Sequence, residues 1–308
     1  MLGPVLLAAA RSDSIRRLVS AAPITRPVVD RYIAGESLDQ CLESVRTLAD
    51  RGIEVTIDFL GEDITQRSEA LRNRDAYLAL TEALAAEGLG ERAEMSVKLS
   101  AFGQALPGGH ELALANVVPV VEAAAEAGTT VTLDMEDHTT VDSTLAILSE
   151  LRRSHPETGA VVQSYLFRTE DDCYALAGEG SRVRLVKGAY NEPVEVAHQD
   201  KREVDLAFVR CLKILMAGKG YPMIGSHDPR MVAITEELAR RHGRKPGEYE
   251  FQMLYGIREA EQDRLVAEGH RMRAYIPYGT DWYGYFMRRL AERPANLAFF
   301  LRSLVSRG

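Results

Sequence analysis

Short runs of β-branched and apolar residues alternate with longer amphipathic stretches from Gly52 onward, and this alternation constrains the fold more than any other feature. Such runs, separated by helical stretches, predict parallel strands joined by crossover helices. Eight strands with helices between them are the pattern of an α/β protein with a (βα)8 barrel. The predicted strands are Val55–Leu60, Met95–Phe102, Thr130–Met135, Ala160–Leu166, Val183–Ala189, Pro222–Ser226, Tyr249–Leu254 and Arg271–Pro277.

A doubly wound sheet is the main alternative, because it also alternates strands with helices. That fold carries a glycine-rich fingerprint between a strand and the helix that follows it. The one partial match, Gly88–Ala93, follows a predicted helix and precedes a predicted strand. The wrong context of this match favours the barrel.

Helical periodicity divides the chain into two parts. Residues 1–50 are predicted as an N-terminal helical segment and residues 51–308 as the barrel domain, with a long closing helix. Glycines after several helices suit helix C-caps. The predicted helices are Ser14–Ser20, Pro27–Ile33, Leu38–Ala49, Ile64–Glu87, Glu111–Ala127, Thr140–Arg153, Glu170–Leu176, Lys201–Met216, Arg230–Arg241, Glu259–Glu268 and Tyr283–Leu304.

The charge balance excludes one large class of partners. The chain has 37 lysines and arginines against 45 aspartates and glutamates, a formal net charge of −8. This balance gives no global basic field, so we predict no nucleic-acid partner. Cys41, Cys173 and Cys211 lie far apart in the sequence, which indicates reduced thiols in a cytoplasmic protein.

The apolar run from Leu2 to Ala10 is much shorter than the roughly 20 residues that a membrane-spanning helix needs. No basic segment precedes the run and no A-x-A sequence follows it, so we predict no signal peptide. Arg11, Arg16 and Arg17 follow it and leave peripheral contact with the inner face of a membrane open.

Polar residues stand at or near the C-terminal ends of most predicted strands. In a barrel these ends meet at one mouth, where chemistry takes place. Lys98 and Asp134 come from neighbouring strands and are predicted to pair, because a buried lysine is costly without a carboxylate. The pair either stabilises the mouth or shapes a charged substrate pocket. The full set is Asp58, Lys98, Asp134, Gln163, Arg184, Lys187, His227, Gln252 and Tyr275.

Two of these segments allow other chemistry. The sequence DMEDH, Asp134–His138, contains possible metal ligands, but its spacing matches no strong ligand signature and no metal site is predicted. Lys187 could form a Schiff base, as in barrel aldolases. Gly188 and Ala189 beside it suit the close approach of a flat group or a phosphate.

The closing helix carries a second set of polar residues. Tyr285, Arg288, Arg289 and Glu292 are spaced i, i+3, i+4 and i+7, so they share one helix face. Two neighbouring arginines suit the binding of a carboxylate, and a glutamate can hold an arginine in place. The alternative is a solvated basic face.

Taken together, the motifs resemble those of the proline dehydrogenase family, the flavin-dependent enzymes that oxidise L-proline. The resemblance covers roughly residues 50–300, and RLVKGAY with the downstream YxxRRxxE of Tyr285–Glu292 is its strongest pair. The matching stretches, in order, are MSVKLSAF, TLDMED, VVQSYL, VRLVKGAY, IGSHD, YEFQMLYG, YIPYGT and YxxRRxxE.

The resemblance implies a distorted (βα)8 TIM-type barrel with N-terminal helices, FAD at its mouth and a C-terminal helix over the active site. Arg288 and Arg289 match the pair that grips the carboxylate of proline, and Lys98 matches a lysine that also reaches it. Asp134 matches the acid paired with that lysine, and Glu292 matches the acid that steadies the arginines.

The same resemblance assigns residues to the substrate ring and the cofactor. Tyr275 and Leu254 match residues that pack around the pyrrolidine ring, and Arg184 matches an arginine near flavin N5. A tyrosine at position 275 is typical of enzymes that act on proline rather than hydroxyproline. The implied FAD contacts are Met135, Gln163, Arg184, Lys187, Gly188, Ala189, Ser226 and His227.

The implied reaction is hydride transfer from C5 of L-proline to N5 of FAD, which gives Δ1-pyrroline-5-carboxylate in the first step of proline catabolism to glutamate. Asp134 and Arg184 are the implied catalytic residues. A quinone would reoxidise the flavin. The chain lacks the aldehyde dehydrogenase domain of bifunctional members, so it resembles the monofunctional kind and a separate pyrroline-5-carboxylate dehydrogenase is expected.

Two alternatives stay open on the sequence. One is a class I aldolase with Lys187 as the Schiff-base nucleophile. The other is a barrel that binds a flavin or another ligand without catalysis.

Overall fold

The barrel is closed by eight parallel strands in sequence order. The computed structural model describes residues 29–61 and 64–292, and side chains as far as Met287. The register joins Val55 of the first strand to Ala274 of the last, which completes the ring. The strands are β1 (Glu54–Phe59), β2 (Ala93–Val97), β3 (Val131–Leu133), β4 (Gly159–Gln163), β5 (Arg182–Val186), β6 (Tyr221–Gly225), β7 (Glu250–Leu254) and β8 (Met272–Tyr278). The predicted barrel is confirmed and the doubly wound alternative is wrong.

Helices surround the strands, with starts and ends close to those predicted from periodicity. Side chains of Ser37, Asp200 and Asp228 accept backbone hydrogen bonds at three of the helix starts, which is why those helices begin there. The α-helices are α1 (Leu38–Asp50), α2 (Arg67–Ala86), α3 (Gly109–Glu126), α4 (Val141–Leu151), α5 (Thr169–Leu176), α6 (Lys201–Ala217), α7 (Pro229–His242), α8 (Glu259–Ala267) and α9 (Trp282–Glu292).

Three strands end at least three residues earlier than the sequence predicts. β2 ends at Val97 rather than Phe102, because Leu99–Phe102 forms a 3₁₀ helix that closes at Gly103 with φ 105°. β4 ends at Gln163 and β5 at Val186. Apolar residues continue past β2 and β4 because the loops that follow these two strands are also packed. The polar residues that follow these strands therefore lie on loops at the mouth.

Of the N-terminal segment, α1 confirms the predicted helix over Leu38–Ala49. The predicted helix over Ser14–Ser20 lies outside the described residues. The predicted helix over Pro27–Ile33 lies there in part, and from Val29 the chain makes a turn in which the Ile33 amide donates to the Val29 carbonyl (3.0 Å). The division of the chain at residue 50 stays a prediction.

Helix α1 packs against β1 and β8 on the outside of the barrel. In a regular (βα)8 barrel the helix that follows β8 packs between β8 and β1. Because α1 occupies this position, α9 packs at a different place on the barrel. Trp282, Phe286 and Met287 of α9 form an apolar cluster with Leu60 and Ile257, which follow β1 and β7. Helix α9 therefore packs over the mouth, as predicted. Its predicted extension to Leu304 lies outside the described residues.

None of the helices within residues 29–61 and 64–292 is both long enough and apolar enough to cross a membrane.

Candidate active site

A lysine between two carboxylates marks the centre of the mouth. Lys98 follows β2, and its Nζ lies 2.7 Å from Asp58 Oδ2 of β1 and 3.8 Å from Asp134 Oδ2 beyond β3. It also donates to the Tyr275 hydroxyl (3.2 Å), which itself donates to Asp134 Oδ2 (2.9 Å). Burial, and then the charges of Asp134 and Asp58, raise the pKa of Tyr275 well above its usual value. The phenol therefore stays protonated and acts as a donor.

Arg184 lies on the far side of Asp134 and is buried on β5. Its Nη1 donates to Asp134 Oδ1 (2.7 Å) and to Ser96 Oγ (2.8 Å), while Nη2 donates to Glu94 Oε1 (3.0 Å). Its guanidinium carbon lies 5.6 Å from the centroid of the Tyr275 ring. Asp134 thus accepts bonds from Arg184, Ser96 and Tyr275, so its position is fixed by three strands.

Beneath this group, charged residues fill the barrel axis. Glu94 accepts from Arg182 as well as Arg184, and Glu250 accepts from Arg273 (2.8 Å). Burial favours the neutral acid, but Arg273, Arg182 and Arg184 together lower the pKa of Glu94 below its usual value. Through its bond to Glu94, this network holds the Arg184 side chain in place beneath the mouth.

Lys187 follows β5 and forms a second charged group on the rim. Its Nζ lies 2.5 Å from Asp205 Oδ1 and 3.0 Å from Asp228 Oδ2, and Arg230 bridges the same two carboxylates at 2.7 Å each. A Schiff-base nucleophile must reach a substrate carbonyl with its amine nitrogen, whereas the Lys187 nitrogen is engaged by two carboxylates. The geometry therefore disfavours the aldolase alternative.

The segment after Lys187 lies close to the neighbouring loop. Gly188 has φ 113°, and a Cβ there would clash with the ring of Tyr165, so only glycine fits. Ala189 is exposed, and Gln163 is buried at the end of β4, where its side-chain amide donates to the Glu136 carbonyl (2.7 Å). These residues line the β4–β5 side of the mouth.

Ser226 and His227 follow β6 and adjoin this side. Ser226 Oγ accepts from the Asp228 amide (3.2 Å), and His227 Nε2 accepts from the Leu254 amide (2.9 Å). This bond fixes Leu254, which packs with Tyr275 against the apolar cluster of α9. Met135, after β3, is buried in a separate cluster with Tyr165.

The segment Asp134–His138, whose side chains include possible metal ligands, is divided between two groups. Asp134 belongs to the group of Lys98 and Arg184, whereas His138 Nδ1 contacts Glu192. The two side chains therefore have different partners.

The closing helix brings Tyr285 to the mouth, where it is buried. The backbone of α9 includes Arg288, Arg289 and Glu292. Their spacing from Tyr285 places these positions on the same helix face as Tyr285. Their side chains lie outside the described part of the structure. Their roles stay predictions.

Sequence reasoning missed several residues that complete the site. Asp58 was recognised as a polar strand-end residue, but the structure makes it the nearest carboxylate to Lys98. Ser96, on β2, alternates with apolar neighbours and gave a weak signal as an inward-facing hydroxyl. Asp205 gave no signal, because it lies on α6 rather than at a strand end. Asp228 belongs to the matching stretch IGSHD but was assigned no role.

Comparison with known proteins agrees with this fold and identifies the family. The model of the family described as proline dehydrogenase matches residues 41–302. Proline dehydrogenase 1 of Bacillus subtilis is 36% identical, with all of both chains covered, and the proline dehydrogenase of Deinococcus radiodurans is 38% identical over 90% of each. The solved proline utilization A (PutA) of Bdellovibrio bacteriovorus is 25% identical with a TM-score of 0.81. This chain is covered to 98% in that match and spans 37% of the longer PutA chain.

The closed eight-stranded barrel places this chain in the (βα)8-barrel class, and the solved PutA structure shares its fold. The chain belongs to the proline dehydrogenase family. Its activity is that of a proline dehydrogenase, an oxidoreductase.

Proposed function

We propose that this protein oxidises L-proline to Δ1-pyrroline-5-carboxylate with FAD as its cofactor. The observation that carries the proposal is the bonded group of Lys98, Asp58, Asp134, Arg184 and Tyr275 at the mouth. A fixed cation beside the opening suits an amino acid's carboxylate. Fixed orientation of the substrate, rather than covalent chemistry by side chains, is what hydride transfer requires.

The residues at the mouth fit a flavin dinucleotide by their chemistry. Lys187 offers an ammonium group and Ser226 a hydroxyl on neighbouring strands, a donor set suited to phosphates. Arg184 Nε is buried without a hydrogen-bond partner among the described residues. FAD supplies a two-electron acceptor for the hydride that leaves C5 of proline. We assign its binding to Met135, Gln163, Arg184, Lys187, Gly188, Ala189, Ser226 and His227.

Substrate binding is assigned to two sides of the mouth. Lys98, held by Asp58, binds the proline carboxylate from below, and Arg288 and Arg289 bind it from α9. Glu292, one turn further on, steadies the arginine pair. A carboxylate held by three cations cannot rotate, so the ring keeps one orientation.

The ring is placed by residues of β7 and β8. Leu254 and Tyr275 pack against the same apolar cluster and offer a contact surface for a pyrrolidine. Asp134 orients Tyr275 and Arg184, and the buried Arg184 places positive charge where negative charge would collect during reduction. Asp134 and Arg184 are therefore the proposed catalytic residues.

An absorbance spectrum of the purified protein tests the proposal. We expect a yellow protein that bleaches without oxygen on addition of L-proline and does not bleach with D-proline, because the carboxylate contacts fix one enantiomer. The product is checked by its reaction with an aldehyde-type trapping reagent. A colourless protein that takes up no added FAD would overturn the proposal.

Reoxidation is assigned to a quinone, with peripheral contact at the inner face of a membrane, and the product to a separate pyrroline-5-carboxylate dehydrogenase. The support is the family resemblance together with PutA relatives whose longer chains are described as bifunctional. A soluble quinone analogue should restore the absorbance of the bleached protein. If no quinone analogue restored the absorbance, the assignment of a quinone as acceptor would be wrong, while the proposed oxidation of proline would stand.

A further inference from the structure

A buried carboxylate in the loop between β5 and α6 has no part in the proposed reaction. Glu192 is 6% exposed and lies four residues after Gly188. Its Oε1 accepts from the His138 amide (2.9 Å) and from the Tyr165 hydroxyl (3.3 Å), and its Oε2 accepts from His138 Nδ1. Three donors from two other loops therefore converge on one acid.

Tyr165 connects this acid to the segment after Lys187. Its ring lies against Gly188, and its hydroxyl also accepts from the Tyr190 amide (3.3 Å). Burial, and then the charge of Glu192, raise the pKa of the Tyr165 hydroxyl, so it stays a donor. Only the side chain of Tyr165 therefore lies between Glu192 and the backbone at Gly188.

The loop itself is long and folds back over the end of β4. Ala197 pairs with Leu166 in an isolated antiparallel bridge, and the His198 amide donates to the Tyr165 carbonyl (2.8 Å). The Gln199 side chain donates to the Glu192 carbonyl (3.1 Å). The loop is therefore closed on the β4 side, and Glu192 is its attachment to the β3 side.

We propose that Glu192 is a positioning residue that fixes the β3–α4 loop against the β5–α6 loop and so holds together the two sides of the cofactor site. The inference rests on the proposed function, since it names a support for that same site. His138 lies three residues after Met135, and Gly188 belongs to the other side. Glu192 therefore joins the segment that carries Met135 to the segment that carries Gly188.

A carboxylate accepts all of these bonds when Nδ1 of His138 carries the proton. Its two oxygens have enough lone pairs to accept from one amide, one imidazole and one hydroxyl at once. A glutamine has one acceptor oxygen and no charge with which to strengthen these bonds. Glu192→Gln therefore keeps the size of the side chain and removes the charge-assisted part of the attachment.

Cofactor release measures the effect without reference to turnover. The FAD-loaded protein is diluted, and the rise in fluorescence of free FAD gives the rate and extent of release. We expect Glu192→Gln to raise the FAD dissociation constant about tenfold or more, from the loss of one charge-assisted hydrogen bond. With FAD in excess, kcat should recover and KM for proline should change little.

The matched control is Glu195→Gln, which removes an exposed carboxylate from the same loop. It should release FAD at the wild-type rate. Glu192→Asp keeps the charge on a shorter side chain and should recover part of the lost affinity. His138→Ala combined with Glu192→Gln should weaken binding by less than the sum of the two single changes.

Three results would overturn the inference. The first is wild-type FAD affinity in Glu192→Gln, whether or not the cofactor-free protein unfolds more easily. The second is strict additivity of the two changes at His138 and Glu192. The third applies if Glu192→Gln does not fold, in which case Tyr165→Phe and His138→Ala are measured instead. Tyr165→Phe keeps the ring against Gly188 and removes only the hydroxyl. Wild-type FAD affinity in both of these variants would be the third contradicting result. A wild-type protein without affinity for FAD would instead refute the proposed function.

Discussion

Lys98 shows how a buried cation is held at the mouth by its neighbours. Its side chain is 11% exposed and its closest carboxylate, Asp58, is 1% exposed. Burial of both charges is costly, and their attraction offsets that cost only when the geometry is good. The second acid, Asp134, accepts bonds from Arg184 and Tyr275, so Asp58 is the carboxylate that holds Lys98 most closely.

Removal of the lysine should affect both stability and binding. In Lys98→Met, Asp58 is left buried without its cation, so the free energy of unfolding should fall by about 3–5 kcal/mol. KM for proline should rise by the equivalent of about 1.5–3 kcal/mol, from one lost charged hydrogen bond. Urea unfolding and steady-state kinetics measure the two effects.

A double-mutant cycle separates the pair from its surroundings. Asp58→Asn together with Lys98→Met should be more stable than Lys98→Met alone, because no unpaired carboxylate is left. Lys213→Met, at an exposed position on α6, is the control and should change neither quantity. Additive losses of stability would show that the two residues do not act as a pair.

At the scale of elements, α9 combines an anchored first half with a polar second half. Phe286 is fully buried and Trp282 donates to Glu36 before α1 (3.0 Å), so the start of α9 is fixed on two sides. Arg288 and Arg289 follow within one turn of Phe286. The helix backbone at both positions therefore lies close to this anchor.

Changes on this helix should affect substrate binding rather than folding. Arg288→Met and Arg289→Met should each weaken proline binding by about 1.5–3 kcal/mol, with FAD still bound. Proline titrations followed by flavin absorbance measure the affinity. Arg72→Met, whose side chain is 70% exposed on α2, is the matched control. Unchanged affinity in both α9 variants would mean that the pair is a solvated face.

At the scale of the whole molecule, periodicity was enough to predict the barrel but not its interior. Eight strands and their order follow from alternating patterns, since each helix returns the chain to a parallel neighbour. The predicted pair of Lys98 and Asp134 is present at 3.8 Å, but the closer pair of Lys98 and Asp58 at 2.7 Å did not follow from the sequence. β1 and β3 both flank β2, so the sequence places both acids beside the lysine and only side-chain geometry chooses between them.

The network of charged residues along the barrel axis could not be predicted from the sequence for a related reason. Glu94, Arg182, Glu250 and Arg273 lie within strands, where their charges interrupt the apolar pattern without indicating a partner. Their contacts join β2 to β5 and β7 to β8, and the first pair crosses the barrel interior. Such contacts depend on the register of the closed ring. A linear sequence does not reveal that register until the barrel is assembled.

This network should make the stability of the whole barrel depend on pH. Burial of Glu250 favours its neutral form, but Arg273 and then Arg182 lower its pKa from 4.5 to about 2. A folded-state pKa below the unfolded one adds stability that is complete above the unfolded value and is lost as the pH falls toward the folded value. The contribution is on the order of 3 kcal/mol, lost between about pH 5 and about pH 2.

Urea unfolding across this pH range, in wild type and Glu250→Gln, isolates the contribution of Glu250 from that of other carboxylates. The variant should be less stable at neutral pH, because Arg273 loses a charged partner while staying buried. Its stability should fall less steeply below about pH 5, because one titrating group is gone. Glu122→Gln, at an exposed position on α3, should keep the wild-type slope. Equal slopes in wild type and Glu250→Gln would show that Glu250 does not carry this dependence, and that acid unfolding begins at surface carboxylates instead.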